Sequence, residues 1–490
     1  MKNNKILMGF MALSLLSTSC ELDINDDPRY PKDASVEMLL PSTITWSTTR
    51  LGCEAQLIGS CWSQFYTQEN SANQYNSLVT YDITSSNYNG IWNNIYSGAL
   101  ADLKMMIQKG EAEKKWDYYA IGKILMAFDY HILVDLYGTI PFTESLMGDQ
   151  NTAPKFDDGK VVNAGIIALL DEAIAKAAEA KASASKANPA MGGKDYIYKG
   201  DMDNWIGFAK ALKVKILMRD YNANKEKIAA LIENTNFTTD ARVNGFTDKE
   251  FGSNPLYESE RRKLNTPNNL RASSTVVEFL LVNKDPRIAN YFENAPDPNK
   301  PDNKNYYKGL PYGNISLQTT ESPALSSSRA RFAAEDPVYL MSYAEFLFIK
   351  AEFYARENNA ANAKTNYDLA VKAAFNRWGH DASSFIAAGG AYEFNAADML
   401  KSIMTQKWIA AVRAQGWDAF FDINRTGIPA LGTLQTNEVG YEVGQLVPAA
   451  NSVLPKGELP RRLWLPKSSL DFNTNAPKPI TITTKMWWHK

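Results

Sequence analysis

Histidine and cysteine are scarce, with three of each in 490 residues. His131, His380 and His489 stand far apart and no His-x-x-x-His spacing occurs, so a His-built zinc site is not expected. Behind Cys20 only Cys53 and Cys61 remain. An oxidising compartment would allow them to pair. The segment Leu51 to Ser60 reads as helix, however, and eight residues of helix span about 12 Å, beyond the Cα separation that a disulfide tolerates. Two free, buried thiols are the expectation. Neither sign of charge is in excess: 52 Lys and Arg against 54 Asp and Glu give a net charge of −2, which indicates no general attraction to polyanions and no nucleic-acid partner. Beyond the first twenty residues no apolar run approaches the roughly 20 residues that cross a bilayer. Gly-x-Ser-x-Gly, a phosphate-binding P-loop and a dinucleotide fingerprint are all missing, so the enzyme classes they mark have no foothold.

The first residues form an address. Lys2 and Lys5 are a positive start, Ile6 to Leu16 a short apolar run, and Ser17-Thr18-Ser19 a small-residue end before Cys20. Residues 1–19 read as a secretory signal. Cysteine directly after small residues resembles a bacterial lipobox, with Ser17 where Leu is commonest, so Cys20 is the expected lipidation site. Residues 20–33 are acidic and Pro-containing and read as a lipidated tether. One chain-long body follows, 34–490, which makes the mature protein soluble but anchored.

What is plentiful in that body is helical periodicity. Val338 to Arg377 splits at Glu357-Asn358-Asn359 into two runs, with Ala351 and Tyr354 three apart and Ala363, Tyr367 and Ala370 at four-and-three spacing. That is the pattern of a tetratricopeptide repeat, a helix–turn–helix of about 34 residues, although Leu347 replaces its usual Trp and Phe375 its usual Pro; an ordinary αα-hairpin is the plain alternative. Either way the hairpin needs neighbours to cover its apolar face. Helical runs at Ile91–Gln108, Trp116–Tyr137, Val161–Ala184 and Met202–Tyr221 supply them. The fold class is therefore mainly α, with helix pairs at about 91–221 and 338–425 and a loop-rich insertion at about 222–337. Within the insertion, helices are expected only near Glu226–Ile232 and Ser274–Asn283. Pro41 should stop the first helix, Tyr66 to Asn89 should be loop, and Ala396 to Ile423 should be one long helix.

Three sets of residues carry possible chemistry. Asp129, Asp135 and Glu144 lie close in sequence, and paired acids hydrolyse glycosides, but single acids on helices are more often solvated or capping. Asp297, Asn299 and Asp302, with Asn303 and Asn305, offer hard oxygens to calcium, without the EF-hand order. Trp62, Tyr66, Asn70, Asn73, Gln74 and Tyr75 in one loop, and Tyr306, Tyr307 and Tyr312 in another, combine aromatic faces that stack on sugar rings with amides that bind hydroxyls. The same aromatics would equally anchor their loops to the helices. If they face a ligand, Trp62 and Tyr307 should be removable at a cost to binding and not to folding.

Short blocks then line up along the whole chain: Asp23-Ile24-Asn25 before Asp27-Pro28, Trp92-x-x-Ile95-Tyr96, Asp135-Leu136-Tyr137-Gly138-Thr139-Ile140-Pro141-Phe142, Tyr198-Lys199-Gly200-Asp201, Asp285-Pro286-Arg287, Tyr343-Ala344-Glu345, Gln406-Lys407-Trp408, Arg425-Thr426-Gly427-Ile428-Pro429 and Pro460-Arg461-Arg462-Leu463-Trp464-Leu465-Pro466. In this order, behind a lipobox, they resemble the SusD/RagB outer-membrane lipoproteins of Bacteroidetes. The resemblance implies a right-handed superhelix of four tetratricopeptide-like pairs with a loop-rich insertion. It implies a cell-surface lipoprotein held in the outer membrane by Cys20. Such a protein captures oligosaccharide, sometimes peptide, and works as a lid on a TonB-dependent SusC-like barrel. It does not imply catalysis, and no cofactor is expected beyond the calcium candidates. Ligand-contacting residues differ between members of that family, so none is carried over.

Overall fold

The computed structural model describes residues 34–69, 72–183, 191–264, 269–300, 302–303, 305–315 and 327–490. The expected signal, the tether and Cys20 lie outside the described residues. Val36–Lys490 forms one body, and no helix among the described residues is long and apolar enough to cross a membrane.

The body is mainly helical. Helix α1, Val36–Arg50, continues through a π-helical turn, Leu51–Ala55, into α2, Gln56–Trp62. Pro41 does not stop it. The ring removes one backbone donor, but Leu39, Leu40, Thr43, Ile44 and Ser47 are buried on either side of it, and their packing outweighs the missing bond. Gly90–Asn94 and a second π-helical turn, Ile95–Leu100, lead into α3, Ala101–Ala112. Then come α4, Trp116–Tyr137, α5, Gly159–Ser183, α6, Met202–Leu217, and α7, Tyr221–Glu233. Helix α3 packs on α4, α5 on both α4 and α6, and α7 on α6.

The repeat-like hairpin forms as the spacing predicts. Helix α9 is Tyr343–Arg356 and α10 is Ala360–Asn376, after the shorter α8, Ser274–Val282, in the insertion. Ser342 Oγ caps α9 by accepting the Glu345 N–H, and Asn359 caps α10 by accepting that of Asn362. Such caps satisfy donors that the first helical turn leaves free. Ala351, Ala363, Ala370 and Ala374 are buried, and the two helices pack on each other. These helix pairs are tetratricopeptide-like.

The long helix expected over Ala396–Ile423 is two: α11, Met399–Ala410, and α12, Gly416–Thr426. Arg413 turns the chain between them at φ 59°. The reason is tertiary. A Cβ on Gly416 would lie 2.2 Å from Ser60 Oγ, and one on Gly59 would lie 2.3 Å from the Trp417 backbone. Helices α2 and α12 therefore touch backbone to backbone, and Gly416 must start a new helix to cross there.

The insertion is less of a loop than its sequence suggests. Strand β1, Tyr66–Gln68, pairs antiparallel with β5, Leu270–Ala272, and β4, Ala241–Val243, pairs antiparallel with β6, Val338–Met341. A third ladder joins β2, Thr139–Ile140, to β3, Asp157–Asp158. The insertion also contributes a buried ion pair, Arg287 Nη2 to Asp285 Oδ2 at 2.6 Å, to which Tyr392 Oη donates at 2.6 Å. Both cysteines are free, Cys61 fully buried and Cys53 partly so, and burial pushes the Cys53 thiol up to about 11.

Charges sit deep in the core. Lys215 of α6 reaches Asp418 at 2.5 Å and Glu345 at 3.0 Å. Lys407 reaches Asp422 at 2.6 Å, and Arg425 grips Glu352 at 2.5 Å. Burial opposes ionisation of Glu352, but Arg425 outweighs it and holds that carboxyl at about 2.

Asp129 of α4 is different: it is buried with one bond from Ser47 Oγ, 2.8 Å, and no cation partner among the described residues, and burial pushes its carboxyl up to about 8.

Gly59→Ala should cost about 3 kcal/mol of stability, at the upper end of overpacking, because the obstacle is backbone; chemical denaturation measures it. The raised Asp129 carboxyl predicts a slope in pH. Its contribution is complete below the ordinary carboxylate range and is lost as pH rises towards about 8. Asp129→Asn removes that slope, so its melting temperature should gain on that of the native chain between pH 5 and pH 8.5.

Candidate ligand-binding site

Strand β5 is the seam on which the two candidate loops meet. On one side it pairs with β1, in register Tyr66 with Ala272 and Gln68 with Leu270. On the other, Leu310 N donates to Ala272 O at 2.9 Å, Ser274 N to Leu310 O at 2.8 Å and Ala330 N to Leu270 O at 3.1 Å. Gly313 N donates to Thr67 Oγ1 across 246 positions of sequence. The loop after β1 and the segment around Tyr306–Tyr312 are thus neighbours.

Most of the aromatic candidates point inwards. Trp62 is 2% exposed, donates from Nε1 to Leu78 O at 3.1 Å and packs 5.0 Å from the Phe420 ring. Tyr66 is buried edge-on to Phe292 and Phe332. Tyr75 is buried and donates from Oη to Glu260 Oε1 at 2.5 Å. Tyr312 is buried 6.2 Å from Tyr81. A ring enclosed on both faces has none to offer a sugar, so these four anchor the loops and do not line a surface. Asn70 lies outside the described residues.

Tyr306 and Tyr307 stay half-buried at the surface, and Asn73 and Gln74 are exposed. Burial pushes the Tyr307 hydroxyl up, against the opposing field of Arg331. Arginines that sequence reasoning passed over complete this face. Arg329 pairs with Glu293 at 2.6 Å, each about a third exposed, and Arg331 is exposed. Arg261 lies 4.8 Å over the Phe332 ring and donates to Ala330 O, while Arg271 donates to Ser327 O at 3.1 Å. Burial pulls both of these guanidinium groups down. The available signal was Arg329-Ala330-Arg331: in extended chain alternate side chains share a side. Tyr306, Tyr307, Arg329 and Arg331 combine half-open rings with guanidinium donors, a set that can stack on a ring and bind its hydroxyls.

The other candidates separate. Asp297 accepts from Asn299 N, Lys300 N and Asn303 Nδ2, the last at 2.7 Å, and these bonds, led by that of Asn303, hold its carboxyl below the usual range. It closes its own turn, while Asn299 and Asp302 are exposed beside it. That removes the centre of the calcium candidate, and no group of three or more His, Cys, Asp or Glu among the described residues could hold a metal ion. The acids do not pair either: Asp129 is tied to Ser47, Asp135 to Arg219 at 2.6 Å, and Glu144 to Lys155 N and Asn151.

The burial of Trp62 reverses what its loop-like neighbourhood suggests. Trp62→Ala should cost about 3–5 kcal/mol of folding stability, as for other large core truncations, in a urea titration, whereas Tyr306→Ala should stay within about 1 kcal/mol of the native chain.

The comparisons bear on the fold. A family model described as SusD-like, starch-binding and associating with the outer membrane matches residues 31–449. A SusD homolog from Bacteroides uniformis superposes with a TM-score of 0.74 at 22% identity, covering 94% of this chain and 100% of that one. A SusD homolog from Bacteroides thetaiotaomicron gives 0.74 at 18%, covering 93% and 99%. A chitin-binding SusD homolog from Flavobacterium johnsoniae gives 0.73 at 19%, covering 92% and 98%. No curated protein matches the chain. The helix pairs, the ladder-stitched insertion and a family match over most of the length lead to one conclusion: the chain belongs to the SusD/RagB family.

Proposed function

We propose that this protein is a non-enzymatic, cell-surface lipoprotein that captures oligosaccharide at the face around Tyr306, Tyr307, Arg329 and Arg331 and passes it to a TonB-dependent SusC-like transporter. The observation that carries the reading is the family match over residues 31–449, whose description joins starch binding to the outer membrane; the chitin-binding relative supports it. The face itself fits. Half-open tyrosine rings pack against the C–H side of a pyranose, and guanidinium forks donate to pairs of hydroxyls. Cys20, after Ser17-Thr18-Ser19, is the lipid attachment point. Its acyl chains hold the protein at the membrane, where a transporter can receive what is captured.

A glycan array followed by calorimetry tests the capture. Tyr307→Ala and Arg331→Ala should each weaken the selected glycan by about fivefold, roughly 1 kcal/mol by analogy with aromatic pairs, with the melting temperature unchanged. A protein that binds no glycan on the array, or binds one equally well in both variants, overturns this assignment. Radiolabelled palmitate should appear on the native chain and not on Cys20→Ser, and a β-barrel transporter should co-purify from detergent-solubilised membranes.

A further inference from the structure

A second concavity lies away from that face. It is a cleft of about 290 Å³ between the helical start Gly90–Leu100, the chain from Pro141 to Phe156 and the short helix Lys467–Phe472. Four rings line it: Trp92, Tyr96, Phe156 and Phe472. Trp92 and Phe156 stack at 19° with centroids 6.0 Å apart, and Tyr96 Oη donates to Pro141 O at 2.7 Å. These three have evident structural partners.

Phe472 has none. It is 83% exposed, and the helix that carries it buries none of its residues. That helix is held over the cleft by amides instead: Asn473 Nδ2 donates to Pro154 O at 2.8 Å and Asn475 Nδ2 to Ala153 O at 2.6 Å. Phe472 lines one concavity with the rings of Trp92, Tyr96 and Phe156, and a contiguous apolar patch, unlike a lone exposed ring, marks a binding site. The polar lining agrees. Thr152, Ser468 and Ser469 line the same cleft, and their hydroxyls make no hydrogen bond among the described residues.

We propose that this cleft is a second sugar-binding site, taking one or two pyranose rings of gluco configuration from an oligosaccharide. Such a ring carries its hydroxyls at the equator and leaves two flat C–H faces. Phe472 covers one face, and the free hydroxyls of Thr152, Ser468 and Ser469 meet the rim. The volume lies at the small end of ligand pockets and suits a short stretch of chain and not a globular partner. The proposal rests on the reading of the protein as glycan-binding and adds a separate place of contact.

Calorimetry of the full soluble chain with maltoheptaose, cellohexaose and chitohexaose tests it. At least one should bind, Phe472→Ala should weaken it at least fivefold or remove one unit of stoichiometry, and Phe472→Trp should retain binding. Phe472 is exposed and makes no ring pair among the described residues, so all variants should melt with the native chain. Unchanged affinity and stoichiometry in Phe472→Ala, beside a loss in Tyr307→Ala, overturns the cleft and leaves the capture face standing. Failure of all three sugars to bind the native chain also overturns the cleft; the wider array then decides the general reading independently.

Discussion

The buried charge network among α4, α6, α9, α11 and α12 is the constraint on which the rest of the body depends. Lys215, Lys407 and Arg425 each meet carboxylates from other helices at 2.5–3.0 Å, with Glu345, Glu352, Asp418 and Asp422 all less than a tenth exposed. Arg219, just past α6, grips Asp135 of α4. Taking such charges out of water is costly, and their attraction offsets the cost only in good geometry. Moving one helix by a turn would strand several charges at once. Burial and the neighbouring Glu345 push the Asp418 carboxyl up to about 8, whereas Lys215 and Lys407 outweigh burial at Glu345 and pull it down. Gln415 bridges the two acids through Nε2, at 2.7 and 3.0 Å, which ties the break between α11 and α12 to the same network.

Around this hub the body is stitched by contacts between stretches far apart in sequence. Leu463 N donates to Leu136 O at 2.8 Å, and Arg462 fills the space that a side chain on Gly138 would need. Trp92 meets Tyr137 edge-on at 5.0 Å. Three of the short blocks that signalled the family, at Trp92, Asp135 and Pro460, are therefore one contact region. The proposed ligand face lies on loops pinned by β5 and by enclosed aromatics, so a rigid core carries it.

Legibility followed the range of the interaction. The hairpin at Val338–Arg377 was readable because caps, small residues and aromatic spacing act within one or two turns. Arg329 and Arg331, which the proposed face includes, give little signal in the sequence, because one charge in a loop looks the same whether solvated or poised. Trp62, Tyr66, Tyr75 and Tyr312 were misplaced for a related reason: an aromatic among polar residues reads alike whether it stacks on a ligand or plugs its loop into the core. Pro41 and the break before Gly416 depend on what packs alongside, which local propensity does not report.

The sequence by itself determined the helical class, the pairing of helices and the family, because periodicity and block order are properties of the chain. Only the tertiary structure decided which rings remain open to solvent. Exposure is settled by what the rest of the chain places above a side chain, and here that was β5, Phe420, Phe292 and Glu260. Of the rings in the two candidate loops it left Tyr306 and Tyr307 reaching the surface and enclosed Trp62, Tyr66, Tyr75 and Tyr312.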